Sequence, residues 1–174
     1  MKKIFFALAT IGLLAACNGQ KAEKSTTSDE VIISATPENT VNIQDSLIIV
    51  SGKGAVVERR YSGILPAADG PGIVYNLTMF FQQDSEDGVY QLETTYIEAE
   101  NGEDKSFMAY GKRKVLRGIP SDPNAIVYEL IPNNNEEVTY FLLTDDDTRL
   151  TMLDQNKNKI DSDLNYTLQL LQFE

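Results

Sequence analysis

The chain has 174 residues, no histidine, no tryptophan and one cysteine, and its formal net charge is −11. Without histidine, Ser-His-Asp and Cys-His catalysis are excluded, so the composition points to binding rather than to an enzyme, with no catalytic residue and no cofactor implied. So acidic a surface repels phosphate backbones, and nucleic acid is not an expected partner.

The first element is a leader. Lys2 and Lys3 precede an apolar run, Ile4 to Leu14, that closes on Leu14-Ala15-Ala16-Cys17. The run falls short of the roughly 20 residues a membrane span needs, so residues 1–16 read as a secretory signal peptide, cleaved between Ala16 and Cys17. The closing residues resemble the lipobox of bacterial lipoproteins. That resemblance implies lipidation of Cys17 and a membrane anchor; at about 0.8 kcal/mol per buried methylene, several acyl chains hold far better than one. The expected location is the cell envelope, with Asn18 after Cys17 compatible with the outer membrane. Once Cys17 carries lipid no disulfide can form, and the fold must rely on packing.

Residues 17–45 are rich in Ser, Thr, Lys, Glu and Asn, with one short apolar patch at Val31-Ile32-Ile33, and read as a flexible tether. The folded domain is expected over residues 46–174, with Leu47 to Val50 as an early strand. From about Val56 the apolar residues recur every second position. The pattern is clearest at Ile73, Tyr75, Leu77, Met79 and Phe81, and returns at Tyr90 to Tyr96, Ile126 to Leu130, Val138 to Leu142 and Leu164 to Leu170. Polar turn clusters separate the runs, among them Gln83 to Gly88, Glu100 to Glu103, Pro120 to Asn124, Pro132 to Asn135 and Asp145 to Asp147. These spacings are too short for crossover helices. The fold class is therefore all-β, an antiparallel up-and-down meander of about eight strands closing into a barrel, with a two-sheet sandwich as the alternative.

Three constellations invite chemistry. Asp154-Gln155-Asn156-Lys157-Asn158 opens like a calcium loop, but Lys159 stands where glycine is needed and Asn165 where glutamate is needed, so a polar hairpin turn is the better reading. Met79, Met108 and Met152 could offer thioethers to Cu(I), yet each sits in an apolar strand pattern and reads as core. No metal ligand set is assigned. The third constellation is Tyr61 to Ile73, where a strand enters a loop punctuated by Pro66, Gly70, Pro71 and Gly72 and leaves as the best strand of the chain. Loops on a rigid scaffold often carry function, which makes Leu65, Pro66, Ala67, Asp69 and Gly70 the candidate binding loop.

Several separated motifs resemble the N-terminal domain of the NlpE family of envelope lipoproteins. Tyr61, Gly63, Ile64, Leu65, Pro66, Ala68, Asp69, Gly72 and Ile73 match the family pattern around this loop. Tyr110-Gly111, Leu150 to Asp154 and Leu164 to Leu168 match further motifs in order, so the resemblance runs from Tyr61 to Leu171. It implies a lipocalin-like barrel and a role in copper resistance or envelope-stress sensing. It also exposes a departure: Ala67 and Gly70 stand where the family has a Cys-x-x-Cys pair, and neither can bind copper or form a disulfide. The expected partners are the membrane through the lipid anchor and either an envelope protein or a small ligand. The alternatives are a carrier of a small apolar ligand, which bulky inward residues such as Tyr75, Phe81 and Tyr166 would obstruct, and an interaction module that presents residues 66–71 to a protein.

Overall fold

The alternation of the sequence becomes eight consecutive strands: β1 (Val56–Leu65), β2 (Ile73–Gln82), β3 (Asp87–Glu100), β4 (Glu103–Ile119), β5 (Asp122–Pro132), β6 (Thr139–Leu143), β7 (Arg149–Met152) and β8 (Thr167–Leu170). Each is antiparallel to the next and β8 returns to β1, so this computed structural model is a closed barrel. It describes residues 42–144 and 147–171. The leader, Cys17, most of the tether, and Asp145 and Asp146 lie outside the described residues.

Closure decides between barrel and sandwich, and it is made by few bonds. Tyr61 pairs with Leu170 and Ser62 with Gln169. The seam is extended by the Leu171 amide donating to the Arg60 carbonyl at 2.8 Å and by Asn165 Nδ2 donating to the Ile64 carbonyl at 3.0 Å.

Register follows from burial, because a slip of one residue would turn every apolar side chain outward. Rows such as Tyr61, Leu77 and Leu92, or Tyr128 and Phe141 with Met152, therefore meet inside. The interior is filled: Tyr61, Leu77, Met79, Leu130, Phe141, Leu150 and Leu168 are each nearly inaccessible. Two smaller clusters lie on the outer face, one around Val127 and Leu142, the other where Ile43 packs on Phe80 and Val89.

The structure departs from several expectations. Leu47 to Val50 do not form a strand, and Ile48 is 82% exposed. The Gln82 side chain, not a neighbouring strand, takes up the backbone of Val50. Just before it, within the stretch read as tether, Ile43–Ser46 form a 3-10 helix whose first turn is capped by Asn42. At the C-terminal end, the regular alternation from Leu164 yields a strand only from Thr167, with Leu164 61% exposed. There Asn165 Oδ1 accepts the Thr167 amide at 3.1 Å, so a side chain takes that donor and bends the entry to β8. Met108 faces out from β4 at 43% exposure, so only Met79 and Met152 pack with the core. Finally, the turn expected over Pro120 to Asn124 is tighter, since Pro123 already lies in the second position of β5.

Candidate functional site

The β1–β2 connection places the candidate loop at one mouth of the barrel. Leu65 ends β1 with its side chain in the core, Pro66 and Ala67 are half-buried, and Asp69, Gly70 and Pro71 are exposed. The Ile97 amide donates to the Gly72 carbonyl at 3.1 Å, which ties the loop to the end of β3. Leu65, Pro66, Ala67 and Gly70 line an open cleft of about 320 Å³ together with Ile64, Pro71, Leu164 and Asn165. Asp69 does not line it. Ile64 and Leu164, 54% and 61% exposed, add two aliphatic side chains to the lining of this cleft.

Gly70 has a φ of 113°, a backbone conformation that side-chain-bearing residues rarely adopt, and a Cβ there would stand 3.3 Å from the Ile97 carbonyl oxygen. The second family cysteine is thus replaced by a residue whose backbone suits glycine. An alanine methyl and a glycine hydrogen leave this loop with no thiolate.

The polar turn after β7 uses its carboxylate internally. Asp154 Oδ1 accepts the amides of Asn156 at 2.9 Å and Asn158 at 2.7 Å, while Oδ2 accepts Asn158 Nδ2 at 3.2 Å. These bonds, led by the Asn158 amide, hold the Asp154 carboxyl below its ordinary pKa. The turn is a hairpin closed by the Leu153–Lys159 bridge, as its sequence suggests. Among the described residues no three carboxylate, cysteine or histidine side chains come together as a metal ligand set.

The opposite mouth holds residues that pattern reading passed over. Arg113 faces inward from β4, is 1% exposed, and lies with its guanidinium carbon 4.1 Å from the Phe81 ring centre and 4.9 Å from that of Tyr128. Its Nη2 donates to the Ser85 carbonyl at 3.1 Å, and its Nε has no hydrogen-bond partner. Burial presses the Arg113 pKa down, opposed chiefly by Tyr128. Burial likewise raises the hydroxyl pKa values of Tyr61 and Tyr128. Arg113 lines a cavity of about 480 Å³ with Arg59 and Arg117, the two tyrosines, and Phe81, Val115, Ile126 and Leu143. The signal in the sequence was parity: in Gly111-Lys112-Arg113-Lys114-Val115, Arg113 falls on the face of Gly111 and Val115, not on that of the two lysines.

A family model, the NlpE N-terminal domain, matches residues 61–163, beginning inside β1 and ending before β8. No curated protein and no solved structure matches the chain.

Proposed function

The chain belongs to the NlpE N-terminal domain family, and from that premise we propose that it is a lipid-anchored envelope protein that serves copper homeostasis or envelope-stress sensing by binding rather than catalysis. The observation that carries this reading is the β1–β2 loop, held on a closed barrel and flanked by the exposed side chains of Ile64 and Leu164. Exposed aliphatic side chains beside an acidic, proline-bounded loop suit contact with another envelope protein. With alanine and glycine at positions 67 and 70, the loop serves as a contact surface and not as a thiolate trap. The packed interior argues against a carrier that engulfs an apolar ligand.

The anchor is Cys17, and the outer membrane is the proposed site. Labelling with radioactive palmitate tests the first point: label on the wild type and none on Cys17→Ser is expected. Density fractionation of the envelope tests the second.

A photo-crosslinking residue at Asp69 tests the contact in cells. One discrete adduct that responds to copper or envelope stress, and that is absent when the same residue replaces Lys157 on the hairpin, supports the reading. The same adducts from both positions, or none from either, overturn it.

A further inference from the structure

The mouth opposite the β1–β2 loop contains a buried guanidinium, Arg113, for which Asp87 is an electrostatic neighbour but not a salt-bridge partner, in a chain whose formal net charge is −11. Neither the Glu58–Arg60 nor the Glu86–Arg117 ion pair involves Arg113. Taking a guanidinium out of water is costly unless it is paired. Two aromatic rings and one carbonyl compensate part of that cost, and the Nε remains without a partner. A residue so placed is accounted for if the missing partner arrives from outside.

We propose that this mouth binds a small organic carboxylate with a short apolar tail, its head on Arg113 and Arg59 and its tail against Phe81, Val115, Ile126 and Leu143. The arginine fork matches a planar carboxylate in a two-bond geometry. Tyr61 spends its hydroxyl proton on the Asp147 carbonyl at 2.9 Å, so the charged hydrogen bonds to the head come from the arginines. Asp84, Glu86 and Asp147 stand among the lining residues, so the entrance discriminates against multiply charged anions and favours a monoanion. The core residues beneath, Tyr61 and Tyr128 among them, limit the depth and therefore the tail length. This site lies away from the β1–β2 loop and does not rest on the function proposed for that loop.

Nuclear magnetic resonance titration of the full chain carrying Cys17→Ser tests the site, with sodium octanoate as the probe and octanol and octyltrimethylammonium as controls. Octanoate should shift the amides of Ser85, Gly88 and Tyr128 saturably, and the two controls should not. Arg113→Gln should weaken octanoate by about tenfold or more, the loss expected for a charged hydrogen-bonding group, while Arg113→Lys should recover part of it. Should Arg113→Gln fail to fold, Arg59→Gln at the exposed rim serves alone: a several-fold weaker affinity at unchanged melting temperature is expected. Octanol binding as tightly as octanoate, shifts confined to residues 66–71, no saturable shift, or an unaffected Arg59→Gln would each overturn the proposal.

Discussion

Gln82, in the last position of β2, holds the backbone of Val50 from both sides. Its Oε1 accepts the Val50 amide at 2.7 Å, and its Nε2 donates to the carbonyls of Val50 and Gly54, each at 3.0 Å. The side chain is buried, so these bonds replace a strand that the apolar run Leu47 to Val50 would otherwise form. Gln82→Leu should cost about 0.5–1.5 kcal/mol for each bond that water does not replace, since Val50 is itself half exposed, and should speed amide exchange at Val50 and Lys53. Gln82→Glu should be worse at neutral pH, because a buried carboxylate would face two carbonyls. Burial would raise that carboxyl's pKa, so its penalty should shrink as the pH falls and the group takes up a proton. Urea denaturation at two pH values checks both; a Gln82→Glu deficit that does not change with pH would contradict this reading.

The contrast between Val50 and Leu77 shows what the sequence could and could not tell. Leu77 was legible because burial on one face imposes period two, and that period carried through to strand order and closure. Val50 and Leu164 have equally good local pattern and fail as strand residues because side chains far away or just downstream, Gln82 and Asn165, take the backbone groups a ladder needs. The β1–β2 loop was legible as a loop because proline and glycine punctuate it. Arg113 was hidden because its burial depends on Phe81 and Tyr128, which are distant in the chain and meet it only once the barrel closes.

Among the described glycines, Gly111 leaves the least room for a Cβ. A Cβ at this position would stand 2.1 Å from the Ile131 carbonyl oxygen and 2.7 Å from Tyr90 Cε1. Backbone oxygen cannot rotate away, so β4 and β5 must separate to admit a methyl group. Gly111→Ala should lose about 3 kcal/mol, the upper range for overpacking. The alanine that replaces Gly102, with nothing within 4 Å of its Cβ, would face a φ of +83° instead, so it tests conformation without crowding. Thermal denaturation of the two variants should show Gly111→Ala as the more damaging; equal losses would mean that close approach is not what position 111 requires.

Alkaline pH should unfold the barrel through its buried phenols. Burial is the leading cause of raised hydroxyl pKa values at Tyr61, Tyr75 and Tyr128, and it pushes Tyr90 up to about 12, with Glu136 adding to the shift. The folded chain therefore holds protons that the unfolded chain releases near pH 10. The resulting stability is fully present below about pH 10 and is lost as the pH rises through 12. Tyrosinate absorbance should show a late phase coincident with loss of β-sheet circular dichroism, and unfolding in guanidinium should remove that phase. Tyr61→Phe should diminish it and cost about 0.5–1.5 kcal/mol through the lost bond to the Asp147 carbonyl.

Restoring the family's cysteine pair should not simply restore a thiolate site. Ala67 is half-buried and its methyl gives way to a thiol with little change, whereas Gly70 sits at a φ of 113° where a side chain is strained. In a Cys17→Ser background, Ala67→Cys should leave the melting temperature nearly unchanged, and Gly70→Cys should cost about 1–3 kcal/mol, the range for a residue held in a sparsely populated backbone region. The double variant should acquire Cu(I) binding that the parent loop lacks, since two thiolates then share one loop, but the strain must be relieved when the metal binds. Metal should therefore raise the melting temperature of the double variant more than that of either single variant. If Gly70→Cys proves as stable as the parent, the loop relaxes freely, and its glycine conformation is then a consequence of the missing cysteine and no barrier to a metal site.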